Sequence, residues 1–302
     1  MITTAPYRPI QKRRAKITRN LIAWGIMLPS LALFVFFVWM PLVQSLRLCL
    51  YETKGFSTVR FVGLDNFAAV IAHPDFWPAV INTFSYTLWS LIIGFLVPII
   101  MAVLIQEMVY GKSIFRIAVY LPNIVPGLAT VFLWRYLFKS GGNGGLNMLL
   151  NSVGLQGGEW LSNATLAIPV IVVAMTWKGA GATTLIYLAG LQGINPELYE
   201  AAIIDGANVR QRIWNITVPQ IFNLGRTLLI LQVIAVFQVL YEPLVMTNGG
   251  PNNASVSLMQ VVFRYAFERY DYAKATSVSV LISIALITLT LVYNRINRPK
   301  DM

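Results

Sequence analysis

The segment Glu200-Ala201-Ala202-Ile203-Ile204-Asp205-Gly206, followed after nine residues by Ile216-Thr217-Val218-Pro219, is a polar stretch between two long apolar runs. Ala201, Ala202 and Ala207 keep its surface flat enough for close approach, and Glu200 and Asp205 add charges that a basic partner could read. Such a segment is either a docking surface or an amphipathic loop that lies on a membrane. Its local chemistry leaves both readings open.

The same segment carries signals for two short helices. Asn195 can cap a helix that begins at Pro196, because proline is tolerated in the first turn and the Asn side chain accepts the free N–H groups there. Gly206 provides the backbone freedom that ends this helix, and Asn208 can cap a second helix over Val209–Ile216, just before a proline. We therefore predict two helices that meet at a glycine.

The composition places the segment in a membrane protein. Hydrophobic residues make up 57% of the 302 residues and charged residues only 12%, with a mean hydropathy of +0.65. The apolar residues form blocks near the roughly 20 residues that a helix needs to cross a bilayer. We predict six spans, at Leu21–Val43, Thr83–Ile105, Phe115–Phe138, Leu166–Leu188, Thr227–Thr247 and Ser277–Val292. The apolar residues in these blocks do not alternate with the period of two that membrane β-strands show, so we predict helices. The predicted fold class is an all-α polytopic membrane protein.

The basic residues predict the orientation. Fourteen Lys and Arg residues fall on the side of both chain ends and eight on the other side. Because cytoplasmic loops carry the excess of positive charge, we expect both ends and the Glu200 segment in the cytoplasm of a multi-pass cell-membrane protein. The predicted parts are a cytoplasmic tail at 1–20, a first span at 21–43, an extracytoplasmic loop at 44–82, a membrane domain at 83–292 that includes a cytoplasmic loop at 193–223, and a cytoplasmic tail at 293–302.

Several classes of site are disfavoured. The net charge of +11 comes from basic residues beside the spans, so we expect contact with membrane lipid and no nucleic acid partner. The single Cys49 and single His73 make a disulfide or a metal site improbable. The glycine-rich runs at 140–145 and 248–253 precede no Lys-Ser or Lys-Thr pair, so they are expected to be turns and not phosphate-binding loops. We predict no catalytic residue and no bound cofactor.

A transport pathway needs polar and aromatic side chains inside the spans. Gln232, Gln238, Tyr241 and Glu242 of the fifth span offer hydrogen bonds and an aromatic face to a sugar, and we expect Gln238 and Glu242 to share a helix face. Lys178 sits near mid-membrane, where it either contacts substrate or pairs with a backbone carbonyl or a companion subunit. The remaining candidates, for sugar stacking or simple packing, are Trp134 and Trp177.

The Glu200 segment resembles the signature of the membrane subunits of binding-protein-dependent ABC importers. The match runs from Glu200-Ala201-Ala202 through Gly206 to Ile216 and Pro219, with Val218 where the signature usually has leucine. Other stretches are similar to the carbohydrate-uptake branch, which contains the maltose and glycerol-phosphate permeases. They are Phe61–Phe67, Phe76–Thr83, Gly145–Asn147, Leu188–Gln192 and Asn248–Pro251. The chain lacks the large external domain of the maltose subunit.

This resemblance implies a type I importer permease whose loop seats in a groove of an ATPase. The implied coupling residues are Glu200, Ala201, Ala202, Asp205, Gly206, Ala207, Ile216 and Pro219. Implied partners are a second, different permease subunit, two ATP-binding subunits that bind ATP and Mg, and an extracytoplasmic solute-binding protein. The expected cargo is a carbohydrate. An oligosaccharide is favoured over glycerol-phosphate or another polar solute, because an anionic cargo would favour several pathway Arg or Lys residues and only Lys178 is present.

Two other classes of protein remain alternatives. A secondary carrier should show paired intramembrane charges and inverted repeats. Apart from Arg116 and Arg135 near the ends of the third span, only Lys178 and Glu242 are charged residues inside the predicted spans. A membrane-embedded enzyme would need a cluster of catalytic side chains, which one histidine and few intramembrane acids do not supply. Both alternatives are therefore less favoured than a permease.

Overall fold

The computed structural model describes residues 9–55 and 57–297. Parts of the two predicted tails, at 1–8 and 298–302, lie outside the described residues. The helices are α1 Pro9–Phe34, α2 Met40–Leu48, α3 Asp65–Ile71, α4 Phe76–Trp89, α5 Leu96–Glu107, α6 Lys112–Ile124, α7 Gly127–Leu137, α8 Gly145–Ser152, α9 Ala167–Gln192, α10 Pro196–Ile204, α11 Val209–Arg212, α12 Val218–Phe237, α13 Tyr241–Met246, α14 Leu258–Phe263 and α15 Tyr272–Ile296. Single π-helical turns occur at Val35–Trp39, Ser90–Gly94, Ile213–Thr217 and Arg264–Glu268.

Within the described residues, five helical stretches are long and apolar enough to cross a membrane. They are Arg19–Leu48, Phe76–Glu107, Ala167–Gln192, Val209–Phe237 and Tyr272–Ile296. The pair α6 and α7 makes a sixth span if it crosses as one unit, although it bends by 94°. The expected six-span helical architecture is confirmed, but the third span is broken. Pro126 ends α6, because the residue before a proline avoids the helical conformation, and Val125 is extended.

The fifth span differs from its predicted bounds at both ends. We expected the second loop helix to stop at Ile216, but α11, a π turn and α12 form one helical stretch from Val209 to Phe237. In the π turn the N–H of Val218 bonds to the carbonyl of Ile213, five residues back. Since this wider turn already changes the hydrogen-bond spacing, Pro219 falls at the start of α12 without ending the helix.

The connection predicted as a loop at 44–82 contains structure that the sequence analysis did not anticipate. Strands β1 Tyr51–Lys54 and β2 Ser57–Phe61 form an antiparallel hairpin, and α3 follows it. The side-chain amide of Asn66 on α3 donates to the carbonyl oxygens of Cys49 and Tyr51, which fixes the hairpin to the end of the first span. Helix α4 then begins at Phe76, seven residues before the expected start of the second span.

The two glycine-rich runs are turns, as expected. The run at 248–253 includes a cis Gly250–Pro251 peptide and three asparagines with positive φ, a conformation that Asn tolerates better than most residues. Two side chains of α4 hold this turn. Asn82 donates to the carbonyls of Asn253 and Val256, and the Tyr86 hydroxyl donates to the carbonyl of Ser255. These bonds satisfy buried backbone oxygens and join the second span to the segment after the fifth.

The interior of the bundle centres on α9. A buried cluster around Ile171 and Val172 joins α9 to α4, α7 and α13, and a second around Tyr187 and Leu191 joins it to α5 and α12. Gly181 lets α6 approach closely, since a Cβ atom there would overlap the carbonyl oxygen of Val119. The first span is different, because none of its most apolar window is buried. Its apolar side chains therefore face outward along nearly its whole length.

Candidate functional site

The 193–223 loop is organised by the capping residues that the sequence predicted. Asn195 Oδ1 accepts the N–H of Glu197 at 3.1 Å at the start of α10. Asn208 and Gln211 form a reciprocal capping box at the start of α11, with distances of 2.8 and 3.0 Å. Gly206 joins the two helices with φ of +78°. The predicted pair of helices meeting at a glycine is therefore present.

The loop presents a surface to the outside of the molecule. No residue of α10, which the structure describes in full, is buried, and Ile204 keeps 85% of its surface exposed. Of the eight candidate coupling residues, Glu200, Ala201, Asp205, Gly206 and Pro219 are exposed, whereas Ala202, Ala207 and Ile216 are half-buried. An exposed isoleucine next to small residues and carboxylates fits a surface that packs against another protein.

Four of the predicted pathway residues line one cavity of about 300 Å³. Gln232, Gln238, Tyr241 and Glu242 meet there, close to Ser90 of the second span. The Gln232 amide donates to the Ser90 hydroxyl at 2.6 Å. The cavity thus offers amide, hydroxyl and carboxyl groups beside one aromatic ring, the combination that a polar ligand such as a sugar requires.

One expectation about this cavity is wrong. Gln238 and Glu242 do not share the face of a continuous helix, because α12 ends at Phe237 and Gln238 is its C-terminal cap. Helix α13 begins at Tyr241, after a short break. The break has the same consequence that a shared face would have had, since it turns Gln238, Tyr241 and Glu242 towards the same space.

Lys178 lines a neighbouring cavity of about 330 Å³ together with Thr130, Tyr241 and Glu242. Its ammonium group donates to the carbonyl oxygens of Pro122, Asn123 and Val125 at the end of α6. The Pro122 carbonyl also accepts the N–H of Val125, whereas the last carbonyls of a helix have no partner further along it. A lysine near a helix C-terminus also complements the negative end of the helix dipole. Of the alternatives left open for Lys178, pairing with backbone carbonyls is the one observed.

The two tryptophans lie apart from both cavities. The Trp134 ring packs edge-on against Trp177 with a centroid distance of 5.7 Å, and stacks on Phe138 at 5.1 Å. Trp177 borders a separate, mostly apolar cavity beside Pro122 and Gly181. Both rings therefore pack α7 against α9, and neither is brought to the polar cavity near Gln238.

A larger cavity of about 650 Å³ lies at the other end of α7, and sequence reasoning missed it. Arg135, Tyr136 and Lys139 line it, together with residues of the two glycine-rich turns. The signal was present, because Arg135 and Lys139 stand four residues apart at the end of an apolar helix that leads into a glycine run. It could not be interpreted without knowing that the turn at 248–253 folds over the same place.

Metal chemistry finds no support in the arrangement of side chains. Across residues 9–55 and 57–297, no group of three or more His, Cys, Asp or Glu side chains converges as metal ligands would.

Comparison with known proteins identifies the family. Residues 94–298 match the model for the inner membrane component of binding-protein-dependent transport systems. The trehalose/maltose transport system permease protein MalF of Thermococcus litoralis is 30% identical over 92% of this chain and 94% of its own. The arabinooligosaccharides transport system permease protein AraP of Halalkalibacterium halodurans is 28% identical over 91% of this chain and 88% of its own.

Solved structures agree with the fold. A chain of a bacterial ABC transporter that imports the acidic polysaccharide alginate superposes with a TM-score of 0.84 at 24% identity, covering 96% of this chain and all of that one. The alginate transporter in complex with its pentasaccharide-bound periplasmic protein gives 0.83 at 25% identity, over 94% of this chain and 96% of that one. The family match over residues 94–298 and the relative at 30% identity show that the chain belongs to the inner membrane components of binding-protein-dependent transport systems, the permease subunits of ABC importers.

Proposed function

We propose that this permease imports an oligosaccharide delivered by a solute-binding protein, using ATP hydrolysed by separate subunits. The observation that carries the proposal is the exposed 193–223 loop, whose two capped helices present Glu200 to Gly206 outside the bundle. A protein surface with exposed apolar and acidic groups fits a groove on an ATPase that binds ATP and Mg. Both chain ends and this loop then face the cytoplasm, in line with the charge distribution.

The proposed cargo rests on the chemistry of the cavity and on the relatives. Two amides, a tyrosine and a carboxyl group line the cavity near Gln238, which fits a hydroxyl-rich ligand. The two relatives named above are permease proteins of a trehalose/maltose and an arabinooligosaccharides transport system. A thermal-shift screen of the cognate binding protein against neutral and acidic oligosaccharides would identify the cargo. If only amino acids or ions stabilised that protein, the sugar assignment would be wrong.

The complete transporter is proposed to contain a second, homologous permease, two ATPase subunits and the binding protein. In this mechanism, closure of the ATPases on ATP draws the two coupling loops together and rocks the spans from inward-facing to outward-facing. The binding protein releases the sugar into the cavity between the permeases. Hydrolysis then lets the spans return, and the sugar leaves towards the cytoplasm.

The coupling step is tested at Gly206. Its positive φ strains a β-branched residue but is tolerated by asparagine, and a Cβ there meets no described atom within 4 Å. We expect Gly206→Val to abolish ATP-dependent uptake in proteoliposomes while the protein still inserts, and Gly206→Asn to retain uptake. Uptake driven by an ion gradient without ATP would instead favour a secondary carrier.

A further inference from the structure

Two polar contacts join the 193–223 loop to the ends of two spans. The hydroxyl oxygens of Tyr199 on α10 and Thr217, just before α12, lie 3.0 Å apart. The guanidinium of Arg212 on α11 lies 3.4 Å from a carboxylate oxygen of Glu107, the last residue of α5. The loop is thus connected to the second span and to the fifth, which are separated by more than 90 residues of sequence.

Arg212 makes a further contact within the loop. Its Nη1 donates to the carbonyl oxygen of Ala207 at 3.3 Å, directly after the Gly206 turn. The side chain is only 17% exposed and that of Glu107 only 27%, so water screens their attraction less than it would on an open surface. One guanidinium therefore holds both the turn between the loop helices and the end of α5.

Apolar packing fixes the two ends of the loop, where Ile194 and Ile221 join a buried cluster, but it does not fix α10. None of the residues of α10, a helix that the structure describes from end to end, is buried. Gly206 joins α10 to α11 in a turn that backbone hydrogen bonds close, because its N–H and that of Ala207 donate to carbonyl oxygens of α10. A displacement of α10 is therefore passed to this turn, and from there to the spans through the chain itself and through the polar contacts of Tyr199 and Arg212.

We propose that Arg212 is a positioning residue that makes the Gly206 turn and the end of α5 move together, so that a push on α10 is transmitted to the second span as well as to the fifth. This inference rests on the proposed coupling to an ATPase. The ion pair with Glu107 holds Arg212 in place, and the carbonyl oxygen of Ala207 accepts a hydrogen bond from the guanidinium of Arg212. Without this bridge, the ATPase would still bind the loop, but the end of α5 would no longer follow the motion of the Gly206 turn.

The test uses the complete transporter in proteoliposomes and measures sugar imported per ATP hydrolysed. Glu107→Gln keeps the side-chain size and removes the charge, whereas Arg212→Gln shortens the side chain and removes the guanidinium; the double variant combines the two changes. We expect each single variant to assemble and hydrolyse ATP, with the import ratio lowered roughly fivefold or more. The double variant should be no worse than Arg212→Gln, because the two residues act through one contact.

Arg210→Gln is the matched control, since Arg210 lies on the same short helix and has no ion-pair partner among the described residues. It should keep the wild-type ratio. An unchanged ratio in Glu107→Gln and Arg212→Gln would overturn the inference, and so would a loss of assembly with a normal ratio in the complexes that remain. If the wild-type transporter itself imported without ATP, the proposed function would fail first.

Discussion

The ammonium nitrogen of Lys178 lies 2.9 Å from the carbonyl oxygen of Asn123, at the point where α6 ends and the 94° bend towards α7 begins. A side chain of one span thereby donates hydrogen bonds to the carbonyl oxygens at the end of a broken helix in another span. A membrane offers few other donors for such carbonyls, so we expect the break to depend on Lys178.

Lys178→Met should destabilise the protein. Methionine has a similar length but leaves the carbonyls of Pro122, Asn123 and Val125 without their donor, at a cost of about 1–3 kcal/mol. We expect a lower melting temperature of the detergent-solubilised protein by fluorescence-detected size exclusion. Lys139→Met, at an exposed position, is the control. An equal melting temperature for Lys178→Met and the wild type would show that the break does not need this residue.

Gly181→Ala should destabilise the contact between α6 and α9. A methyl group there overlaps the carbonyl of Val119, so the helices must separate, which costs about 1–3 kcal/mol. Gly179→Ala is a matched control on the same helix, because its Cβ would meet no described atom within 4 Å. Thermal unfolding of both variants checks the prediction. A loss of stability in Gly179→Ala equal to that in Gly181→Ala would contradict it.

Gln238→Ala should weaken sugar transport without affecting assembly. Loss of one hydrogen bond to the sugar raises KM for uptake roughly fivefold, since such a bond contributes about 1 kcal/mol. Uptake would be measured in proteoliposomes at saturating binding protein. Gln156→Ala, in an exposed connection, should leave KM unchanged. A normal KM for Gln238→Ala would remove this side chain from the pathway.

Asp75→Asn should loosen the connection between α4 and the segment after α13. Asp75 lies 3.3 Å from Arg264 and accepts from the amide of Asn253 at 3.0 Å, and its side chain is only 18% exposed. Removing its charge should cost about 2 kcal/mol of unfolding free energy. Glu52 also pairs with an arginine, Arg60, but is 54% exposed. Glu52→Gln should therefore lower the unfolding free energy by well under about 1 kcal/mol. Denaturant unfolding of both variants checks this, and a larger loss in Glu52→Gln than in Asp75→Asn would contradict the prediction.

Features set by neighbours in sequence were predictable. Asn195, Gly206 and Asn208 act on backbone groups within three residues of themselves, so their caps and turn follow from residue type alone. The break after Ile124 was not predicted. The apolar run continues through it, and the lysine that satisfies its carbonyls stands 53 residues or more further along the chain.

For the candidate site, the choice of residues could be predicted from the sequence, but their arrangement in space could not. Gln238 and Glu242 were selected as polar groups in an apolar run, and they do share a cavity. The expected shared helix face was wrong, because the helix ends at Phe237 and the geometry of the break decides where they point. Arg135 and Lys139 were overlooked since their cavity is completed by a turn more than 100 residues away.

The π turn at Ile213–Thr217 sets the angular phase of the 193–223 loop. Each residue of an α-helix turns the chain by about 100° and advances it by about 1.5 Å. A π turn contains one residue more than an α turn over the same stretch. Deleting Asn215 to restore regular winding would rotate α11 about the axis of the fifth span by roughly that angle. The nine residues between Gly206 and Ile216 therefore set the orientation of the Glu200 segment about the axis of the fifth span.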